Sequence, residues 1–447
     1  MKKDIILIMS DQHNGRYTSM SDTMNDVTPE LKSIANQGTY FPNTYCNAPL
    51  CVPSRMSFLS GKLPSDNGVL DNDSTLNSDV VTIAHKMSLE GYKTILVGRM
   101  HFKGVDQYHG FDERYLGDIT TQFWGQSREN LGDYYPGFKA SSAQTVIGVG
   151  QSPVLDFDRA VFNKTQELLN ESHDKPLFII VGFYAPHFPY VSSGEHKRFN
   201  PYEYTLENYI EEYNGLVQST TESNVRKINS IYQEMIYEID AYVGTLFRQF
   251  EQRKGLFIYT SDHGDQLGKR GIFGKKTLYE DSIRIPLVLH GVNISGDINN
   301  ELSLLDLHKL LIQFAKTQKL ELKNDVVKVQ SVISYNKEDI WTEAVIKNRF
   351  KLARVKNSLY LFDLEKDYDE TTNLLGQSQK HLDDLFPYLE SEQRVQEIMN
   401  YYKTKQEENK ILIAHGKNLK LDFKHKKHIF DEYTVPKSLK YFGYEEE

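Results

Sequence analysis

Polar clusters directly follow two short apolar runs of the chain. Ser10–Asn14 follows the run Ile5–Met9, and Ser261–Asp265 follows the run Leu256–Tyr259. Both runs are typical of strands that are buried on both faces of a sheet. Because ligands bind at the carboxyl ends of the strands in an open α/β sheet, we expect the carboxylate, amide and imidazole groups of the two clusters to converge. Oxygen donors of this kind suit Ca²⁺, with Mg²⁺ as the alternative, although an Asp after a strand is as often a turn or capping residue.

Cations and imidazoles follow two further apolar runs. Gly98–His101 comes after Thr94–Val97, and Ala185–His187 comes after Leu177–Val181. Arginine offers a planar fork for tetrahedral oxyanions, and histidine exchanges a proton near neutral pH. A single histidine is more often structural than catalytic, but cations and imidazoles at one sheet edge indicate an anionic substrate.

The elements that must position these groups alternate along the chain. Apolar residues recur at every third or fourth position between Ile228 and Phe250, which predicts a helix with one face on the sheet. A shorter helix is predicted to begin at Pro29, with Thr28 as its N-cap, and to end at Gly38. The alternation of strands and helices predicts an α/β fold with a large, mixed, mainly parallel sheet and helices on both faces.

The sequence pattern changes near residue 325. Residues 349–355 and 358–364 alternate between apolar and polar side chains, as antiparallel strands do. We therefore expect a catalytic α/β domain over residues 1–325 and a smaller C-terminal α+β subdomain over residues 326–447, with antiparallel strands and a helix. A chain of 447 residues is long enough for two such units.

The composition argues against several classes of protein. The chain has 52 Lys and Arg against 61 Asp and Glu, a net charge of −9, so nucleic acid is not an expected partner. No apolar stretch approaches the roughly 20 residues needed to cross a bilayer, and the first residues lack the apolar core of a signal peptide. Cys46 and Cys51 are the only cysteines, which favours a reducing compartment, although the two could pair with each other. We expect a cytoplasmic protein that does not associate with a membrane.

The segment Cys51–Lys62 reads CVPSRMSFLSGK. It resembles the signature of the formylglycine-dependent (type I) sulfatases, in which the cysteine of C-x-P-S-R is oxidised after translation to an aldehyde, formylglycine. The resemblance extends over nearly the whole chain, as far as residues 361–367 and 372–374, and it implies a fold of the alkaline-phosphatase type. Without these neighbours, Cys51 would be interpreted as a small buried apolar residue.

The resemblance also implies a set of metal ligands. By similarity, Asp11, Gln12, Asp262 and His263 hold a divalent metal, usually Ca²⁺, together with the modified Cys51. Two of these positions depart from the commonest family pattern. Gln12 stands where many members have a second Asp, and His263 stands where many have Asn.

Three further positions match catalytic residues of the family. Arg55 is implied to stabilise the hydrated aldehyde beside the metal. His101 and His187 match two more of these positions, and His187 is also a substrate-binding candidate. Our hypothesis is that His187 protonates the departing alcohol and that His101 assists the elimination of sulfate.

Two cations match the positions that bind the substrate anion. They are Arg99, which stands where the family usually has Lys, and Lys275. Lys276 is the competing choice, but the spacing from Lys275 to Glu280 agrees with the family pattern.

The activity implied is hydrolysis of a sulfate monoester to an alcohol and inorganic sulfate. Residues 98–114 and 70–73 resemble the choline-sulfatase branch of the family, but choline sulfate, an aryl sulfate and a sulfated sugar all stay open as the small sulfated substrate. The resemblance implies a maturation partner, either a formylglycine-generating enzyme or an anaerobic sulfatase-maturating enzyme. A homo-oligomer also stays open.

Two rival functions use the same residues. Phosphonate monoester hydrolases and phosphodiesterases resemble the sulfatases in fold, metal site and C-x-P-S-R motif. The other rival is a non-catalytic anion-binding protein in which Cys51 remains unmodified, although the complete set of matched site residues argues against it.

Overall fold

The computed structural model describes residues 2–21, 26–120, 146–194, 199, 222–323, 326–335 and 337–418. Its strands are β1 (Ile5–Asp11), β2 (Thr39–Tyr40), β3 (Thr44–Tyr45), β4 (Lys93–Gly98), β5 (Glu113–Tyr115), β6 (Ile147–Val149), β7 (Leu177–Pro186), β8 (Tyr190–Ser192), β9 (Leu256–Ser261), β10 (Arg284–Ile285), β11 (Leu287–His290), β12 (Ile294–Ser295), β13 (Leu302–Ser303), β14 (Leu320–Glu321), β15 (Val327–Tyr335), β16 (Glu338–Lys347), β17 (Phe350–Val355) and β18 (Ser358–Asp363). Its α-helices are α1 (Pro29–Gln37), α2 (Cys51–Ser60), α3 (Pro64–Asn67), α4 (Ile83–Leu89), α5 (Pro153–Asn170), α6 (Glu222–Glu251), α7 (Glu280–Ile283), α8 (Leu304–Thr317), α9 (Gln379–Leu385) and α10 (Glu392–Asn418).

The central sheet has seven strands within the described part of the chain, in the order β2-β11-β9-β1-β7-β4-β5. β1 lies between β7 and β9 and runs parallel to both, and β4 pairs in parallel with β5 and β7. β11 is antiparallel to both β9 and β2, so the antiparallel strand pairs of this sheet lie at one of its edges. The sheet is mixed and mainly parallel, which confirms the predicted fold class.

Successive side chains of β1 alternate between two apolar cores. Ile5, Leu7 and Met9 face a core that includes residues of α2, α4 and α8, whereas Ile6 and Ile8 face a second core with residues of α1, α5 and α6. A strand that is covered on both faces must be apolar along its whole length. The continuous apolar runs of the sequence therefore mark the centre of the sheet, with helices on both sides as predicted.

The predicted strands differ from the observed ones mainly at their ends. β7 continues past Val181 as far as Pro186. The run Ile285–Leu289 is divided by Pro286 into β10, which pairs with β3, and β11, which joins the central sheet. Proline cannot donate to a strand ladder, so the break at Pro286 follows from the residue type.

The N-terminus of α1 is capped by a residue far away in the sequence. Thr28 occupies the N-cap position, but its side chain makes no capping hydrogen bond; instead its Oγ1 accepts the N–H of Ser19 at 2.8 Å. The carboxylate of Asp240 in α6 accepts the N–H groups of Glu30 (2.8 Å) and Leu31 (2.9 Å). Thr28 therefore occupies the predicted N-cap position, but the prediction that its side chain caps the helix is wrong. A carboxylate from another helix accepts the N–H groups of the first turn instead.

The C-terminal part of the described chain forms a separate antiparallel sheet. β15, β16, β17 and β18 pair in sequence order, and α9 and α10 follow them; β17 and β18 are the two strands that the alternating patterns predicted. The boundary between residues 325 and 326 stays a prediction, and residues 419–447 of the predicted subdomain lie outside the described residues. Cys46 and Cys51 are both free, so they do not pair. No helix in the described ranges is long and apolar enough to cross a membrane.

Candidate active site

The predicted polar clusters meet at one edge of the central sheet. β1 ends at Asp11, β4 at Gly98, β7 at Pro186 and β9 at Ser261, so the residues that follow these four neighbouring parallel strands lie side by side. Cys51, the first residue of α2, places its Sγ 3.7 Å from Asp11 Oδ1. The C-x-P-S-R segment therefore begins its helix at the edge where the strands end.

Cys51 is buried at the start of α2, where only 1% of its surface is exposed. Burial and then the nearby charge of Asp11 raise the pKa of its thiol to about 11. Leu50 is extended and precedes the helix, and Asn72 Oδ1 accepts the N–H of Val52 at 3.0 Å, which satisfies one of the open N–H groups of the first turn. The side chain is thus fixed in place and protonated at neutral pH.

Arg55 lies one turn after Cys51, on the same face of α2. Its buried guanidinium bonds two carboxylates, with Nε 2.8 Å from Asp262 Oδ2 and Nη2 3.2 Å from Asp11 Oδ2. Its Nη1 donates to the carbonyl oxygen of Arg99 at 3.0 Å. Arg55 therefore ties the ends of β1, β4 and β9 to α2 and orients both carboxylates beside Cys51.

Four side chains form a cluster with the donors of a metal site. One ligand atom each of Asp11, Cys51, Asp262 and His263 lies within 4.8 Å of all the others. His263 Nε2 is 3.2 Å from Cys51 Sγ, 3.7 Å from Asp11 Oδ1 and 3.6 Å from Asp262 Oδ2. His263 Nδ1 lies 3.0 Å from the carbonyl oxygen of Gly264, which can only accept, so Nδ1 carries the proton and the lone pair of Nε2 faces the cluster.

The protonation states of this cluster also suit a cation. Burial alone would raise the pKa of Asp11, but the charges of the arginines Arg99 and Arg55 oppose it, and the pKa is held well below its ordinary value. Burial lowers the pKa of His263 in spite of the adjacent carboxylates. A charged carboxylate and a neutral imidazole are the forms in which these groups bind metals.

Gln12 lies beside this cluster with its backbone in the left-handed region (φ 73°). Its N–H donates to Asp262 Oδ1 at 3.0 Å, its Oε1 accepts a hydrogen bond from Lys275 Nζ at 2.5 Å, and its Nε2 donates to Asp265. The structure brings Gln12 to the predicted place with its amide oxygen engaged by Lys275, and its role as a ligand stays a prediction. The contact distinguishes the two lysines, since the ammonium of Lys276 has no hydrogen-bond or ion-pair partner among the described residues.

Asp265 is a site residue to which the sequence analysis gave no individual role. Its Oδ2 accepts hydrogen bonds from Gln12 and from Tyr190 Oη (2.5 Å), and its Oδ1 accepts the N–H of Gly274 at 2.9 Å. Gly274 directly precedes Lys275, so Asp265 positions both partners of the contact between Lys275 and Gln12. Its place in the polar cluster after β9 was the available signal.

Arg99 is held by carboxylates on two sides. Its Nε donates to Asp11 Oδ2 at 2.5 Å, its Nη1 donates to Asp118 Oδ1 at 2.7 Å, and its Nη2 lies 2.9 Å from His101 Nδ1. Asp118 Oδ2 also accepts the N–H of His101 at 2.9 Å. Asp118 lies after β5 and could not be singled out from the sequence. Its carboxylate accepts the N–H (3.0 Å) and the hydroxyl (2.8 Å) of Thr120, a turn pattern that occurs in many loops.

The two histidines of the predicted catalytic set are neutral at rest. Burial lowers the pKa of His101, and Arg99 acts in the same direction. Burial and then the charge of Lys275 lower the pKa of His187. His187 Nδ1 lies 2.6 Å from the carbonyl oxygen of Phe188, so that nitrogen carries the proton and Nε2 is the basic nitrogen. An anion bound nearby would raise both pKa values.

Comparison with known proteins identifies the family. A model of the Sulfatase family matches residues 3–309. The chain belongs to the sulfatase family. It is a sulfuric ester hydrolase, as the C-x-P-S-R segment predicted, and its relatives include choline-sulfatase and arylsulfatases.

Three similar proteins illustrate the range of the match. The choline-sulfatase of Rhizobium meliloti (strain 1021) is 31% identical over 83% of this chain and 82% of the relative. The structure of a 2-O GAG sulfatase matches with a TM-score of 0.65 and 18% identity over 91% of this chain and 93% of that chain. The phosphonate monoester hydrolase of Agrobacterium radiobacter matches with a TM-score of 0.66 and 17% identity over 86% of this chain and 95% of that chain. The two structural matches confirm the alkaline-phosphatase type of fold.

Proposed function

We propose that this sulfatase cleaves a sulfate monoester through a formylglycine made from Cys51. The observation that carries the proposal is the place of Cys51 at the start of α2, 3.2 Å from His263 Nε2 and 3.7 Å from Asp11 Oδ1, with Arg55 one turn further along the helix. A buried thiol with a pKa of about 11 is a poor nucleophile, so the unmodified side chain does not account for hydrolysis. A hydrated aldehyde supplies two hydroxyls on one carbon, one to attack sulfur and one to expel sulfate afterwards.

The donor set fits a hard divalent cation once position 51 offers oxygen in place of sulfur. Asp11 and Asp262 contribute carboxylate oxygens and His263 contributes a neutral nitrogen, with the amide of Gln12 beside them. We propose Ca²⁺, with Mg²⁺ as the alternative, because Ca²⁺ accepts an irregular arrangement of ligands. Held by Asp11, Asp262 and His263, such a cation would supply Lewis-acid chemistry at the site.

The remaining side chains divide the work of binding and proton transfer. Lys275 and Arg99 bind the anion, and Arg55 adds positive charge beside it; Arg99 also orients Asp11. We assign His187 as the acid that protonates the departing alcohol from Nε2, and we assign His101 to the elimination of sulfate. Neither histidine needs to be charged before substrate binds, because the anion itself favours the protonated ring.

The alcohol half of the substrate is the open part of the proposal. Choline sulfate, an aryl sulfate and a sulfated sugar are the candidates. An aromatic cage for choline finds no support in Trp341, which packs in an apolar cluster with Leu70 and Tyr402; Trp124 lies outside the described residues. Because Cys51 is buried, a formylglycine-generating or anaerobic sulfatase-maturating enzyme has to act on the chain before it folds around that residue. We propose a cytoplasmic location, which the two unpaired cysteines support.

The first experiment is a mass spectrum of the tryptic peptide of residues 33–55 from protein made with and without a maturation enzyme. We expect the matured sample to carry an aldehyde at Cys51. Initial rates on a sulfate monoester, a phosphate diester and a phosphonate monoester then separate the sulfatase from its nearest rival. An unmodified Cys51 in the active preparation would contradict the proposed nucleophile, and sulfate binding without turnover by the aldehyde form would favour an anion-binding protein.

A further inference from the structure

Two consecutive lysines beside the nucleophile have different surroundings. Lys275 donates to Gln12 Oε1 in the site, whereas the side chain of Lys276 is exposed and its ammonium has no bonded partner among the described residues. The N–H of Lys276 donates to the carbonyl oxygen of Pro49 at 3.1 Å, two residues before Cys51. The backbone of Lys276 is therefore fixed to the segment that leads into the nucleophile, while its charge stays available.

The backbone of Lys276 lies in the left-handed region, with φ of 77°. A residue with a β-carbon is disfavoured there, whereas glycine is not. The next residue, Thr277, is buried and bonds Gln266 Nε2 at 2.9 Å and Ser282 Oγ at 2.7 Å, so the turn is rigid. A lysine in a strained, rigid position beside an active site is a reason to look for a role of its side chain.

The acidic residues on this side of the site already have partners. Asp71 Oδ1 accepts hydrogen bonds from Ser74 Oγ (2.7 Å) and from the N–H of Asp73 (3.0 Å). Asp73 forms an ion pair with the buried Lys103 at 3.5 Å. Surrounding protein and then the charge of Lys275 lower the pKa of Lys276, whereas the charges of Asp71 and Asp73 act in the opposite direction without an ion pair to Lys276. An added anion would therefore meet an ammonium that forms no ion pair with a carboxylate of the described residues.

We propose that Lys276 forms an anion subsite for the alcohol half of the substrate. The preferred esters then carry a second anionic group, a carboxylate or another sulfate, and a quaternary ammonium such as that of choline is disfavoured because its charge would approach the ammonium of Lys276. This inference rests on the proposed function. An exposed ion pair contributes up to about 1 kcal/mol, which is about fivefold in kcat/KM.

The test compares esters that differ in charge but not in shape. 3-Carboxyphenyl sulfate and 3-carbamoylphenyl sulfate are the matched pair, and 1,3-phenylene disulfate and choline sulfate supply a second sulfate and a cation. The variant is Lys276→Asn, since asparagine tolerates the left-handed backbone. The control is Lys254→Asn, because Lys254 is also exposed with positive φ (52°) but precedes β9 at the opposite edge of the sheet.

The readout is the ratio of kcat/KM for the carboxylate to that for the carboxamide, with formylglycine verified by mass spectrometry in every sample. We expect a ratio of about five in the wild type and in Lys254→Asn, and a ratio near one in Lys276→Asn. Whether the disulfate or the carboxylate shows the larger loss identifies the anion that the subsite takes. An unchanged ratio in Lys276→Asn, or a wild type that prefers choline sulfate to the carboxylate, overturns the subsite. Absence of turnover on all four esters by the aldehyde form would instead overturn the proposed function, and the subsite with it.

Discussion

A buried lysine joins the C-terminal sheet to the catalytic part of the chain. Lys351 Nζ in β17 lies 2.9 Å from Glu280 Oε1 in α7 and 2.5 Å from Glu370 Oε1, and it donates to the carbonyl oxygen of Leu278 at 2.9 Å. The three charged side chains are at most 2% exposed. One ammonium therefore bonds two carboxyl groups, and burial raises the pKa of Glu370 to about 7.

Replacing Lys351 with methionine keeps the apolar stem and removes the charge. Two buried carboxylates then face each other, and a broken buried ion pair of this kind costs about 3–5 kcal/mol. Because one carboxyl group can take up a proton, we expect the loss in free energy of unfolding to lie at the lower end of this range near about pH 6 and at the upper end near about pH 8. Guanidinium chloride unfolding followed by circular dichroism measures the loss. The control is Lys356→Met, whose ion pair with Glu338 (3.1 Å) is 45% and 70% exposed and should cost less than about 1 kcal/mol.

A triple variant separates the charge from the packing. Glu280→Gln, Lys351→Met and Glu370→Gln together remove these three charges. Arg284 loses its ion pair with Glu280 (3.6 Å) but keeps its hydrogen bonds to Pro42 and Asn43, so part of the stability should return. If the triple variant is as unstable as Lys351→Met, the cost lies in lost packing. If Lys351→Met is no less stable than Lys356→Met, the electrostatic reasoning is refuted.

Three further predictions concern the site and its support. Asp118→Asn should lower kcat/KM for sulfate esters by about tenfold, because Asp118 holds Arg99 and the N–H of His101; an effect equal to that of the exposed control Asp79→Asn would remove this positioning role. His187→Gln should slow an alkyl sulfate by about 10²–10⁴ and 4-nitrophenyl sulfate much less, because only the poor leaving group needs an acid; equal losses would exclude His187 as the acid. Because the pKa of Glu370 is raised, the folded state keeps a proton that the unfolded state loses above about pH 4.5. The contribution of this group to the free energy of unfolding therefore falls as the pH rises to about 7 and is constant above it. Glu370→Gln should abolish that slope, at most about 1.4 kcal/mol per pH unit, and a slope unchanged in the variant would assign it elsewhere.

The centre of the fold could be predicted because its signal is local. A strand that is covered on both faces has to be apolar at every position, and β1, β4 and β9 begin or continue where such runs stand in the sequence. The position of the polar residues that follow those runs could also be predicted. Neighbouring parallel strands have their carboxyl ends at the same edge of the sheet, so the residues that follow them lie together. The side chains of Asp11, Asp262 and His263 consequently meet as expected.

The residues that sequence reasoning missed act through partners that are distant in the chain. Asp240 caps α1 from α6, and Asp118 holds Arg99 from the loop after β5. Neither carboxylate stands in a pattern that distinguishes it from a turn or surface residue. Lys275 and Lys276 are adjacent in the sequence, and only the position of Gln12 in space separates them. Such pairings depend on topology, which a local pattern does not contain.

The charges around Cys51 explain why this arrangement is suited to a cation and an anion together. The carboxylates that bond the site cations and the cations themselves are equal in number within this network: Asp11, Asp118 and Asp262 face Arg55, Arg99 and Lys275. With neutral histidines, the net charge of this network of described residues is therefore close to zero. It does not repel a divalent metal ion from Asp11. Its basic side chains are also already paired with carboxylates, so they are not free to bind sulfate unaided. A bound divalent cation would shift the balance to positive, and a sulfate monoester would then return it toward neutrality. On this reasoning, affinity for sulfate or a sulfate ester should rise when Ca²⁺ is present, and equal affinity with and without Ca²⁺ would show that Lys275 and Arg99 hold the anion alone.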